Sequence, residues 1–139
     1  MSHQSKELRS VFEQFARMEI TLGALQAALG PAWRFESAAG FARLEAAPAI
    51  EPPVAVETID VRRALAALMS GSVPTQGVVE WANVIVLCDN YEVSPSASNR
   101  ELLLRTLHEL ASPEIHGPIT TERAAALRAE LGEASASGR

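Results

Sequence analysis

The chain has 139 residues, 47% of them hydrophobic and 21% charged, a composition that suits one folded domain and excludes a disordered chain. Its net charge of −5 argues against a nucleic-acid ligand, because neutralisation of phosphates by Lys and Arg dominates such affinity. Aromatic residues make up only 5%, so the core must come mainly from Leu, Val, Ile and Ala.

The charge is uneven. Residues 1–47 carry five Lys/Arg and five Glu, whereas residues 48–139 carry seven Arg and twelve Asp/Glu. Such a surface suits a basic protein partner, since charge complementarity speeds encounter. A single cysteine excludes an intrachain disulfide and points to a reducing cytoplasm. The opening MSHQSKELRSVFEQ lacks the apolar segment of a signal peptide, and no window approaches 18 apolar residues. No membrane partner is expected.

Residues 5–18 read as an amphipathic helix with Leu8, Val11, Phe12, Phe15 and Met18 on one stripe. A second, short helix is expected over 19–31. Thr21 caps it, Leu22, Leu25 and Leu29 form its inner face, and Gly30-Pro31 stops it. Residues 32–46 change character: Trp33 to Glu36 and Phe41 to Glu45 alternate apolar and charged side chains around Ser37-Ala38-Ala39-Gly40, a pattern that suits a small β-hairpin. A continuous helix is the competing reading of the same residues.

The three prolines of 46–57 make an extended crossing segment and the one candidate subdomain boundary. Residues 58–70 read as a helix with Thr58 as cap, Asp60 in its first turn and Gly71 after its end. Ile59, Val61, Leu65 and Leu68 are expected to face inward, and Arg62 and Arg63 outward. The longest apolar run, Thr75 to Asn90, contains Trp81 and Cys88. It is expected as the central helix, 75–89, capped by Thr75, with Gly77 costing about 1 kcal/mol against Ala. Tyr91 to Ala97 reads as a loop. Ser98 and Glu101 have the spacing of a capping box for a helix through Leu110, with Leu103, Leu107 and Leu110 buried and Ser112-Pro113 breaking it. The last helix, 119–131, is capped by Thr120 or Thr121, packs through Ala124, Leu127 and Leu131, and ends at Gly132.

The expected fold is thus mainly α, with about six helices around the central helix 75–89 and a hairpin near 32–46. Residues 1–132 are read as one globular domain and 133–139 as a disordered tail. Three helix starts share a form: Glu19-Ile20-Thr21, Ser72-Val73-Pro74-Thr75 and Pro118-Ile119-Thr120 each set Ile or Val shortly before a Thr. The leading apolar residue can staple onto the first helical turn.

No catalytic motif is evident. Cys88 with Asp89, and His108 with Glu109 and His116, lack the close spacing of a metal site, so no metal and no cofactor is expected. A Cys88/His108 nucleophilic pair lacks an electropositive setting for the thiol. Arg62, Arg63, Arg100 and Arg105 read as rim charges. Glu80 stands out, lying inside the most apolar helix as an exposed edge position or as a specificity residue in a groove.

The segment from Asp60 to Leu131 resembles small helical bacterial proteins of the toxin-immunity kind. The residues that carry the resemblance are GSVPT followed by EWANVI, and ELASPEIHGPIT followed by the last helix. The resemblance implies a cytoplasmic protein that neutralises a partner by binding it, without chemistry of its own. Residues 32–57 have no counterpart in it. The leading expectation is a non-enzymatic protein-binding module for a basic partner, with Tyr91, Glu92, Glu109 and Glu114 as contact residues. The alternative is a small-ligand or regulatory domain with an apolar pocket near Trp33, Phe35 and Trp81.

Overall fold

A computed structural model describes residues 2–29, 35–38, 41–44, 50, 52–88, 90–94 and 99–137, with the backbone alone at 2–6, 35–38, 41–44, 114, 116 and 133–137. The apolar run becomes a helix, Thr75–Leu87, in which Val78, Val79, Trp81, Ala82, Asn83, Val84 and Ile85 are all buried. Side chains buried on more than one face require neighbours on more than one side. Taken in chain order, those neighbours make a mainly α fold.

Helix α1 (Ser2–Ala16) and helix α2 (Leu22–Leu29) come first, followed by a hairpin of β1 (Phe35–Ala38) and β2 (Phe41–Leu44). The hairpin is antiparallel, with Phe35 opposite Leu44 and Ala38 opposite Phe41. Strand β3 (Val54–Val56), helix α3 (Thr58–Ser70), the central helix α4 (Thr75–Leu87) and strand β4 (Tyr91–Val93) follow. Helix α5 (Arg100–Ala111), the four-residue α6 (Pro113–His116) and α7 (Thr121–Ser137) complete the chain. Helix α4 touches α1, α2, α3, α5, β2 and β4, while α7 lies against α3 and α5. No described helix is long and apolar enough to cross a membrane.

The stripes expected from the sequence are the buried ones. Phe12 and Phe15 of α1, Leu25 of α2, Leu103, Leu107 and Leu110 of α5, and Ala124, Leu127 and Leu131 of α7 all enter the core. Thr21 caps α2, its Oγ1 accepting the Ala24 amide at 3.1 Å. Thr120 does the same for the Arg123 amide of α7 at 3.0 Å.

Several expectations fail for identifiable reasons. Thr75 is the first residue of α4, and Pro74 takes the cap position in extended backbone. Glu57, not Thr58, caps α3; its amide donates to Asp60 Oδ2 at 2.9 Å, while the Thr58 hydroxyl donates to Asn99 Oδ1 at 3.1 Å. Asn99 is the cap of α5, and the expected cap Ser98 lies outside the described residues. Ile59 is 56% exposed, because the buried stripe of α3 is Val61, Ala64, Leu65 and Leu68, and a residue two positions before Val61 falls on the other side. Arg62 does not point outward: it is half-buried under α7, where a Cβ added at Gly132 would sit 3.6 Å from its Nη2. Gly132 lies inside α7 beside Arg62, and the helix runs on through residues 133–137 that were expected to belong to a disordered tail.

The expected loop at Tyr91 contains a strand. β4 pairs with β3 in parallel, Val54 opposite Tyr91 and Val56 opposite Val93. The Val54 amide donates to the Asn90 carbonyl at 2.7 Å, and the Ser94 amide to the Val56 carbonyl at 3.0 Å. In each strand the outer two residues are buried and the middle one is exposed. This pairing fastens the proline-containing segment beside the central helix, and Arg9 of α1 adds donations to the Pro52 and Pro53 carbonyls.

Trp81 is 2% exposed and its indole N–H donates to the Phe15 carbonyl at 3.1 Å. Trp81→Ala is expected to lower unfolding free energy by about 3–5 kcal/mol in urea titrations. Trp81→Phe keeps most of the buried volume and is expected to cost less, by the difference between a cavity and one lost hydrogen bond of about 1 kcal/mol.

Candidate binding cleft

Two chain reversals face each other beside Trp81. At the first, α1 ends and Met18 adopts the left-handed conformation at φ 59°. The Met18 amide donates to the Phe15 carbonyl at 3.0 Å and the Glu19 amide to the Gln14 carbonyl at 2.8 Å. This is the pair of bonds that closes a helix with a left-handed residue, normally Gly. At the second reversal Gly71 ends α3 with φ 77°, and the Val73 amide donates to the Ala67 carbonyl at 3.3 Å. Both reversals are followed at once by the N-terminus of a helix, α2 or α4.

Between them lies a half-open cleft of about 450 Å³. One wall is Met18, Glu19, Ile20, Leu22 and Gly23; the other is Ser72, Val73, Pro74, Gly77 and Glu80, with Phe15 and Trp81 also lining it. Phe15 and Trp81 are the deepest of these, 3% and 2% exposed. The indole N–H is already committed to the Phe15 carbonyl, so Trp81 offers the cleft an apolar surface. Glu80 is half-buried and Glu19 exposed, and neither carboxylate has an ion pair or hydrogen bond among the described residues. Glu80 thus takes the groove position that its place in an apolar helix left open.

Gly77 has a steric reason. A Cβ there would meet Val73 Cγ1 at 2.9 Å, closer than real side chains come. Glycine lets the first turn of α4 close against Val73.

The residues singled out from the sequence are scattered. Tyr91 belongs to the core: it is 6% exposed, its hydroxyl donates to the Phe12 carbonyl at 2.6 Å, and its ring meets Phe12 edge-on at 5.6 Å. It is unavailable to a partner. Glu92 is exposed on β4. Glu109 is half-buried and held in a two-pronged pair by Arg123, at 2.5 Å from Nε and 2.7 Å from Nη2. Its charge is largely spent within the molecule. The Glu114 side chain, Trp33, and the Phe35 side chain lie outside the described residues. Trp81 lines a cleft, but one formed by α1, α2 and α4. Cys88 is buried at the end of α4, whereas His108 is exposed on α5. Among the described residues no group of three His, Cys, Asp or Glu could hold a metal ion.

The sequence signal for the cleft was the recurring helix-start form. Ile20 and Val73, the leading apolar residues of the first two instances, stand on opposite walls. Comparison with family models, with curated proteins and with solved structures finds no match for this chain.

Two outcomes test this geometry. Alanine at position 77 offers about 1 kcal/mol in helix propensity. Gly77→Ala is expected to return none of it in urea unfolding, because Val73 must move. Burial, reinforced by Cys88, pushes the Tyr91 phenol far above its usual 10.0. A folded-state value above the unfolded one contributes stability that is complete below pH 10 and declines as pH rises further. Tyr91 is the sole tyrosine, so phenolate absorbance at 295 nm is expected to appear only together with unfolding on alkaline titration.

Proposed function

We propose that this chain is a non-enzymatic protein-binding module that receives a basic partner at the cleft beside Trp81, as a cytoplasmic neutraliser of the immunity-like kind would. The observation that carries the reading is the combination of an apolar floor with two uncompensated carboxylates at its edges, Glu19 and Glu80. Buried apolar anchors supply most of an interface's affinity, and charges around them set its rate and orientation. The net charge of −5 adds long-range attraction for a cation-rich surface. Of the acidic contacts expected from the sequence, Glu92 is free of described partners and able to contribute at the rim, whereas Tyr91 and Glu109 are engaged within the fold.

A second reading, a small-ligand or regulatory domain, is favoured by one observation. A volume of about 450 Å³ falls within the range of small-molecule pockets, roughly 300–1,000 Å³. It predicts a thermal shift with an apolar compound and no protein partner.

The deciding experiment is capture of partners from native lysate at low and high salt, followed by association kinetics of the purified partner. The expected result is a basic protein released by salt, whose association is slowed by Glu19→Lys and Glu80→Lys. An acidic partner, or association indifferent to both ionic strength and these reversals, would overturn the reading.

A further inference from the structure

The cleft's polar groups specify its occupant more closely. Two helix N-termini open onto it, those of α2 and α4, through Gly23 and Gly77. The Ala24 and Leu25 amides of α2 are satisfied by Thr21, and the Val78 amide of α4 by the Pro74 carbonyl. The amides of Gly23 and Gly77 belong to first turns, which have no carbonyl acceptor within their own helix. Both glycines line the cleft, Gly77 with Val73 packed where its Cβ would lie. The cleft therefore presents backbone donors and carboxylate acceptors side by side.

The magnitudes decide the sign of the ligand. Each helix N-terminus counts as about half a positive charge, so the two together reach about +1. Glu19 and Glu80 bring two carboxylates, a formal charge of −2. The balance is negative, which favours a cation and disfavours a free anion. The helix amides remain suited to neutral acceptors, such as the carbonyls of an extended peptide. Met18 completes one wall in a backbone conformation that costs an L-residue about 1–2 kcal/mol and glycine nothing. A methionine there supplies an adaptable apolar surface facing Val73 and Pro74.

Resting on the reading above, we infer that the cleft binds one extended segment of the partner in which an Arg or Lys stands beside an apolar residue. The apolar side chain rests on Trp81, Phe15 and Met18. The cation lies between Glu80 and Glu19. The segment's carbonyl oxygens accept from the Gly23 and Gly77 amides.

The test uses end-capped tripeptides, acetyl-Leu-Arg-Leu-amide with its Gln and Glu counterparts at the centre, titrated into the ¹⁵N-labelled full chain. The two indole N–H resonances are assigned with Trp33→Phe. The Arg peptide is expected to shift the Trp81 indole and the Gly23 and Gly77 amides. The Gln peptide is expected to bind about fivefold more weakly and the Glu peptide weaker still, in keeping with a partly exposed charge pair. Glu80→Gln and the Glu19→Gln, Glu80→Gln double variant should reduce affinity for the Arg peptide stepwise, while Glu122→Gln, at an exposed position of α7 outside the cleft, leaves it unchanged. Retention of the native Trp81 indole shift in each variant reports that the fold is intact. Equal binding of the Glu peptide, no effect of either carboxylate variant, or shifts confined to residues away from the cleft would overturn the inference. A salt-sensitive protein partner whose association is slowed by Glu19→Lys and Glu80→Lys, with the peptides silent, sinks this inference and leaves the broader reading standing. Peptide binding in the cleft without any protein partner does the opposite.

Discussion

The arrangement depends on how the end of α1 is held. Two side-chain donors reach its last turns from far along the chain. The Trp81 indole N–H binds the Phe15 carbonyl and the Tyr91 hydroxyl binds the Phe12 carbonyl. Both side chains are buried, so both donors need acceptors, and the α1 carbonyls supply them. Leaving either donor unpaired costs about 1–3 kcal/mol, which makes the position of α1 against α4 and β4 specific rather than merely hydrophobic. The orientation of the indole at the base of the cleft follows from the same bond.

Around that anchor the chain meets two different demands. The core is largely aliphatic, built by α4 with α5 on one side and α3 with α7 on another. Among its buried polar groups, Asn83 donates to the carbonyls of Val79 and Ala111, each at 3.0 Å, joining α4 to the end of α5. Asp60 is buried at the start of α3, where desolvation raises its pKa against the opposing pull of the Glu57 amide and of Arg63. The cleft is the contrasting region. There an apolar floor, two carboxylates and the starts of α2 and α4 line one opening between two chain reversals. Acids and helix ends together give it a polarity that neither would have alone.

The helices were legible because their apolar residues recur at the helical period, and burial followed that period in α1, α5 and α7. The hairpin was legible from alternation across a small-residue turn. Among the caps, Thr21 and Thr120 were legible, whereas Thr58 and Thr75 were displaced by one residue. A capping assignment depends on where the incoming chain bends, and Pro74 and Glu57 took the extended backbone that the cap position requires. One half of the recurring helix-start pattern, its Thr, thus proved to be cap chemistry at Thr21 and Thr120 but not at Thr75. Its other half, the leading Ile or Val, marked residues that pack beside the new helix, two of which became cleft walls.

What the sequence determined by itself is the class of the fold, the identity of the central helix and the faces that bury, since periodicity and hydrophobicity act over a few residues. What only the tertiary structure decided is pairing between distant segments. Three residues at Val54 and three at Tyr91 are too short to announce a parallel pair, and only their alignment beside α4 makes them strands. That pairing buried Tyr91 and removed it from the surface. Likewise Gly132 stops a helix in a local reading, but in the fold it is an interior position of α7, packed beside Arg62. The cleft belongs to the same category. Its walls come from residues 15–23 and 72–81, and no local rule brings Glu19 and Glu80 to one opening; the packing of α1 and α2 against α4 does.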